Sequence, residues 1–443
     1  MAEIAPFCGL RYAAEKVENL ATVVIPPYDV ISPVEQELFQ HLSPYNMVHL
    51  ELGKPAADDT EANNPHTRAA KYLQEWQLKG ILAREDQPAI YYYELDYPFA
   101  PGLRQTRYGF ICTLRLEDFS SGFVRPHEKT FQSVKDERLG LMLACQANLS
   151  PVFALYSDPA MVVDHTLKIG REAAPVISFV DREGMKHRLW RVVNPETIRQ
   201  VKTLMGDKPI YIADGHHRYE TALNYRSIQR RLLGNAPEDA PFEYIMMYLS
   251  NLDQGGLMIL PTHRLLRHMG SWEPQTFLRD ASAYFDISDY ETTVQGQSKW
   301  REELEKGQSA QETLIGCYWR HADAFYLLKA KREVILSYLA DRGLHEILRS
   351  LDVVILDQLL LRHLLGLSDA FLASERNIHF KQDLAEAVTA VQAGTYEAGF
   401  FINPTRIKQV QEVASAGLIM PHKATYFYPK VWSGLVVHSL TAD

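Results

Sequence analysis

Hydrophobic and polar positions along this chain switch repeatedly between two periods. Apolar runs rich in β-branched and aromatic residues predict strands at Ala89–Glu94, Tyr108–Leu116, Val152–Tyr156, Val176–Val180, Arg188–Val192, Pro209–Ala213, Tyr244–Ser250, Leu257–Leu260 and Ala398–Ile402. Helical spacing runs through Thr67–Lys79, where Ala69, Ala70, Leu73, Trp76 and Leu78 share the apolar positions. It recurs over Glu346–Leu365, Lys381–Gly394 and Thr405–Ser415. Ser32 before Pro33 has the form of an N-cap followed by the first helical position. Such alternation predicts α/β, or mixed α+β, layers and argues against a bundle or a sandwich.

The 443 residues exceed what one hydrophobic core usually serves. Pattern changes divide the chain into an N-terminal α/β region (1–115), a central segment with the densest cluster of chemically capable side chains (116–270), and a C-terminal α/β half (271–443). With 46% apolar and 23% charged residues the composition is that of an ordinary folded chain. The net charge of −9 is opposite to that of proteins that wrap duplex phosphates, so nucleic acid is not the expected partner. Cys8, Cys112, Cys145 and Cys317 are scattered without a C-x-x-C pair, as reduced thiols would be. The N-terminus lacks the order of a signal peptide, and no apolar run nears the ~20 residues that span a bilayer. A cytoplasmic protein without a membrane segment is expected.

The chemistry concentrates at Asp214-Gly215-His216-His217-Arg218. A strand, Pro209–Ala213, runs into the Asp214-Gly215 turn, and a helix follows with Tyr219, Ala222 and Leu223 on one face. A helix start exposes unpaired N–H groups and the positive end of the dipole, so the junction suits an anion. Gly215 lets an oxygen approach the backbone, and His216, His217 and Arg218 add side-chain donors. Asp214 beside a polyphosphate would be repulsive unless Mg²⁺ stood between them or the carboxylate oriented a histidine, which makes it the candidate metal ligand. The plain alternative makes Asp214 a cap and the histidines surface residues. Adjacent helical residues point ~100° apart, so His216 and His217 do not form a two-ligand metal pair.

A second motif lies upstream. In Arg125-Pro126-His127-Glu128-Lys129-Thr130, Glu128 can serve as a general base with Lys129 compensating its charge, although taken alone a surface loop of mixed charge is the better reading of these residues. The two motifs together resemble the free-serine kinases of the ParB/sulfiredoxin-like superfamily. There a Pro-His-Glu segment supplies the base and an Asp-Gly-His-His-Arg loop holds the nucleotide phosphates. Gly399-Phe400-Phe401-Ile402, the helix after Pro404-Thr405, and Pro421-His422-Lys423-Ala424-Thr425 are similar to that family's final strand, helix and Lys-Thr-Thr loop. Across nearly its whole length the chain also resembles the bacterial family called domain of unknown function 1015, through Pro26–Ser32, Ser43–Asn46, His127–Thr130 and Tyr426–Lys430.

The kinase resemblance implies a ParB-like catalytic core at 116–270 and a C-terminal substrate-binding half. Strands 152–156 and 176–192 would be an insertion, and residues 1–115 have no counterpart in the kinases. It further implies phosphoryl transfer from ATP or ADP, with Mg²⁺, to free L-serine, giving O-phospho-L-serine. Glu128 would be the base, and Arg218, His216, His217 and the helix start would neutralise the transferring group. On the resemblance alone, His127, Lys423 and Thr425 would bind the acceptor. No P-loop or Gly-rich kinase loop occurs in the sequence.

Three rivals remain. A ParB-like nucleotide hydrolase or DNA-associated module needs a basic groove. A sulfiredoxin-like reductase needs a cysteine where His216 stands. A nucleotide-sensing regulator would bind without turnover. Among weaker features, His263 is read equally as a pocket or a structural histidine, Asn46 and His49 lean structural, and Tyr91, Tyr92 and Tyr93 read as β-core.

Overall fold

The computed structural model describes residues 2–100, 102–235, 237–270 and 272–441. Its elements follow from local chemistry. Ser32 caps helix Pro33–Leu42 by accepting from the Glu35 N–H, and the Glu35 carboxylate accepts from the Ser32 N–H in return. Asn64 does the same work for Pro65–Leu78, which buries Ala69, Leu73 and Trp76. Predicted strands appear at Val152–Tyr156, Ile177–Val180, Lys186–Val192, Ile210–Asp214, Tyr244–Asn251 and Ala398–Ile402.

The chain divides into two units, each with its own core. The first contains residues up to Pro126, Thr130–Leu257, and the chain from Pro429 onward. The second contains His127–Lys129 and Met258–Tyr428. In the first, a mixed sheet runs in the order Val124–Arg125, Ile210–Asp214, Val152–Tyr156, Tyr244–Asn251, Leu103–Arg115, Ile90–Ala100, Lys186–Val192, Ile177–Val180, with Ile4–Ala5 added beside Leu103–Arg115. Strands from both sides of residue 115 therefore share one sheet. Its core is built from alternate residues such as Tyr92, Phe110, Cys112, Ala154, Ile212 and Met247, all buried. Tyr91, Tyr92 and Tyr93 are buried as β-core.

The second unit holds a wholly antiparallel sheet in the order Phe285–Glu291, Ala324–Ala330, Leu314–Trp319, Ala398–Ile402, His263–Leu266, Ile378–Lys381. Trp300, Phe325 and Phe401 pack on it. A mixed α/β class is thus observed in both units.

One expectation changes in form. The single helix expected over Glu346–Leu365 is three pieces: Glu346–Arg349, Asp352–Ile355 and a π-helical stretch, Leu356–Leu364. The chain extends at Leu351 (φ −90, ψ 124), which interrupts the helical hydrogen bonds while that leucine is buried at 2% exposure. The stretch is rich in leucine, a good helix former, but Ser350, Asp352, Val353 and Val354 beside the break are weaker ones, and the buried Leu351 holds the extended turn. None of the four cysteines forms a disulfide. Among the described residues no helix is long and apolar enough to cross a membrane.

Candidate functional site

The Asp214 motif lies in the first unit. Strand Ile210–Asp214 pairs with Val152–Tyr156, where a register shift accompanies the last pair, Asp214 beside Phe153. Gly215 then adopts φ +91, ψ 30, and the helix His216–Leu233 begins. Two conditions demand glycine here. The left-handed backbone disfavours a side chain, and a Cβ would sit 2.8 Å from the Nε and 2.9 Å from the Cζ of Arg218, whose guanidinium folds back under the turn.

Asp214 is a clamp for two buried cations. Its Oδ2 accepts from Arg218 at 2.6 Å and its Oδ1 accepts from the Lys430 ammonium at 2.5 Å. Arg218 and Lys430 are each 8% exposed. Arg218 also donates to the Pro151 carbonyl, and its buried Nε has no partner. Nearby, the fully buried Arg107 lies over the Phe153 and Tyr248 rings and donates to the carbonyl of Pro429, the residue before Lys430. Arg218 and Lys430 thus both pair with Asp214 at the start of an 18-residue helix. The backbone N–H groups and dipole of a helix start favour an anion.

This geometry bears on two sequence readings. Asp214 was the candidate magnesium ligand, but both of its oxygens already accept charge-assisted bonds, and a cation between two cations is repelled. Among the described residues no three His, Cys, Asp or Glu side chains gather as metal ligands. Arg218 was read as a bidentate phosphate donor; each of its terminal nitrogens gives one bond within the chain, to the Pro151 carbonyl and the Asp214 carboxylate, and each carries a second N–H. His216 is buried at 4% exposure at the helix start. The His217 Nε2 accepts from the Phe131 N–H at 2.9 Å and its ring stacks on the Phe131 ring. That bond places the His217 proton on Nδ1 in the neutral form. One turn on, Glu220 accepts from Thr130 at 2.9 Å and from Lys135 at 2.7 Å.

The second motif belongs to the other unit, which takes in His127, Glu128 and Lys129 although Pro126 and Thr130 on either side do not. Glu128 forms a parallel bridge with Met420, and the Met420 N–H donates to the His127 carbonyl at 2.8 Å. The Glu128 Oε1 accepts from the backbone N–H of Lys423 at 2.8 Å, and the Nδ1 of His422 lies 3.1 Å from the same oxygen. Lys423 holds this position in the left-handed region, φ +53. His127 is fully buried, with its Nε2 3.0 Å from the Thr425 hydroxyl and its ring edge-on to Phe427. The structure thus brings together the four residues Glu128, His127, Lys423 and Thr425 from segments almost 300 positions apart. Lys129 is exposed.

Arg264 completes this cluster and was not among the sequence candidates. It donates to the Thr262 and Lys423 carbonyls. Burial pushes its guanidinium down to about 10, and the charges of Asp357 and Glu128 pull it back up. The neighbouring His263 is buried: burial and the Arg264 charge press its imidazole down to about 3, and its Nδ1 accepts from the Ile402 N–H at 3.4 Å. Asn46 is structural as well, donating to the Thr22 carbonyl and accepting from the Val48 N–H. Lys430 was also missed as a site residue, although the Pro429-Lys430 pair was visible as a family phrase. No local pattern links it to an aspartate 216 positions away.

Comparison with known proteins adds a family. Residues 4–354 match the family described as "Protein of unknown function (DUF1015)", and the chain belongs to it. No curated protein matches the sequence. Solved structures with some likeness include a conserved hypothetical protein from Pyrococcus furiosus (11% identity, TM-score 0.32, covering 72% of this chain and 90% of that one). They also include a free serine kinase in complex with AMP (11%, 0.32, 72% and 86%). A third is SbnI with C-terminal truncation from Staphylococcus aureus (10%, 0.34, 74% and 86%). At these TM-scores the likeness carries no argument.

Proposed function

We propose that this DUF1015 family member is a kinase that transfers a phosphoryl group from ATP or ADP to a small alcohol, with free L-serine as the acceptor. The observation that carries the phosphate half is the Arg218–Asp214–Lys430 cluster at the start of helix His216–Leu233, two buried cations fixed at a helix N-terminus. Asp214 acts by holding the cations in place, so the charge that meets the phosphate is preorganised. Mg²⁺ that accompanies a nucleotide would be held mainly by the phosphates; Asp214 becomes a ligand only if Lys430 or Arg218 leaves it.

The acceptor half is assigned to the second unit. Glu128 accepts from the backbone N–H of Lys423, a main-chain seat that orients the carboxylate as a positioned base requires. As the acceptor oxygen bonds to the terminal phosphorus, Glu128 takes the hydroxyl proton. The bond from phosphorus to the bridging oxygen breaks, and ADP or AMP leaves. His216 and His217 are assigned to the transferring group, and Lys423, Thr425 and His127 to the acceptor. The choice of serine rests on the order of the three motifs, His127-Glu128, Asp214–Arg218 and Lys423–Thr425, as they stand in the sequence.

The test is to incubate the purified protein with Mg²⁺, ATP or ADP and free amino acids, and to follow phosphorylated product by mass spectrometry. O-phosphoserine is the expected product, and Glu128→Gln should lower the rate by about 10²–10⁴-fold, the usual range for a positioned base. No phosphoserine with either nucleotide would overturn the acceptor. Full activity of Glu128→Gln would overturn the base. Nucleotide binding without any product would favour a sensing role instead.

A further inference from the structure

The second unit contains a cavity of about 300 Å³ that none of the residues above explains. Its wall draws on the end of helix Val294–Ala310, the start of helix Arg332–Ala340, the interrupted stretch Arg349–Ile355 and the 403–409 segment. The volume is at the small end of cavities that take organic ligands, about 300–1,000 Å³.

Three kinds of surface meet there. The carboxyl of Asp352 faces it from the first residue of the short helix Asp352–Ile355, and its recorded partner is the Thr313 hydroxyl at 2.7 Å. Arg406 and Arg349 also line it. Arg349 donates its Nε to the Leu344 carbonyl, and among the described residues neither guanidinium forms a salt bridge. Ile335, buried at 1% exposure, and Leu336 supply an apolar wall. The Asp352 turn runs directly into the π-helical stretch Leu356–Leu364, a form that recurs at functional sites because its extra residue per turn has to be held by tertiary contacts.

We propose that this cavity binds a free α-amino acid with an apolar side chain, the ammonium group on Asp352, the carboxylate on the Arg406 and Arg349 guanidinium groups, and the side chain on Ile335 and Leu336. The argument is one of compensation. Asp352 is half-buried, and a carboxylate partly withdrawn from water is favoured by a counter-charge, which a hydroxyl donor does not supply. Burial pushes the Asp352 carboxyl up to about 6, while Thr313 and the Arg406 charge pull it down. An arriving ammonium group relieves that burial. Two guanidinium groups without a salt bridge on the same wall match a carboxylate in fork geometry. A simple anion would satisfy the arginines and worsen the position of Asp352. A simple amine would do the reverse. A zwitterion satisfies both, and this assignment does not depend on the kinase reading.

The experiment is a calorimetric titration of the full chain, without nucleotide, against L-leucine, L-methionine, L-phenylalanine and L-serine. Isoamylamine and 4-methylpentanoate serve as the amine-only and acid-only halves of leucine. An apolar amino acid should bind at least tenfold more tightly than either half and more tightly than serine. Asp352→Asn, which keeps the shape and a partner for Thr313, and Arg406→Gln, at an exposed position, should each weaken binding at least tenfold. Circular dichroism of both variants establishes that they fold; if Asp352→Asn does not, Arg406→Gln alone decides. Absence of binding by any of the four amino acids would overturn the proposal. So would equal binding of either half-molecule, or undiminished binding by a folded variant.

Discussion

Two carboxylates at the two candidate clusters are held in opposite ways. Asp214, in the first unit, is gripped by two buried cations at 2.5 and 2.6 Å. Glu128, in the second, is seated by a backbone N–H at 2.8 Å, with His422 3.1 Å away and Arg264 acting on it through its charge. The difference separates anchoring from chemistry. A carboxylate between two cations fixes the positions of those cations. A carboxylate that accepts from a backbone amide is oriented by the main chain, as a positioned base must be. Two acidic residues that look alike in a sequence thus carry different duties because of what faces them.

The largest effect that can break this comparison is in stability. Asp214→Asn removes the carboxylate that pairs with the buried Arg218 and Lys430 and should destabilise the first unit by about 3–5 kcal/mol, the usual consequence of removing one partner from a buried charge cluster. Glu128→Gln keeps an oxygen to accept from the Lys423 N–H but loses the charge that faces His422, and should cost less, about 1–3 kcal/mol, the order of one hydrogen bond to a charged group. Urea denaturation of the two variants side by side measures the contrast; equal losses would abolish it.

A smaller effect sharpens the first half. Gly215→Ala must place a side chain at φ +91 and against the Arg218 guanidinium, so it should cost about 1–2 kcal/mol or more. It should also weaken nucleotide affinity by displacing Arg218, measured by calorimetry with ADP. Unchanged stability and affinity would mean that the turn does not position the cation.

The smallest effect concerns pH. Burial pushes the Asp164 carboxyl, in the first unit, up to about 6 from its ordinary 3.8, although Asn251 and Tyr156 pull it down. Between those values the folded chain keeps a proton that the unfolded chain has released, so stability falls as pH rises through that window and levels off above it. Asp164 is 6% exposed, and its share of the fall should be on the order of 1 kcal/mol. Asp164→Asn should flatten the slope in thermal melts taken from pH 4 to 7; an unchanged slope would assign it to other groups.

Much of the first cluster was legible locally. The apolar run before Asp214, the Asp-Gly turn and the periodic residues after it specify a strand, a tight turn and a helix within about fifteen positions. Helix capping at Ser32 and the strand at Val152–Tyr156 were legible for the same reason, since capping and pleat periodicity act over four or five residues. The Glu128 cluster was half legible. His127-Glu128 and Lys423–Thr425 were picked out by resemblance, but the seat of Glu128 on the Lys423 amide depends on a backbone in the left-handed region that a lysine does not advertise.

Sequence by itself determined the alternation of strands and helices, the mixed α/β class, the junction at Asp214–Arg218 and the family, because each rests on short-range periodicity or on contiguous residue types. Tertiary structure alone decided that Lys430 joins Asp214, that Arg264 reaches the Lys423 carbonyl, and that the leucine-rich stretch after Glu346 breaks at Leu351. It also decided that strands on both sides of residue 115 enter one sheet and that His127–Lys129 leave that unit for the other. Those outcomes depend on which groups are buried together across hundreds of positions. Burial and charge pairing are properties of the folded surroundings, and no local pattern encodes them.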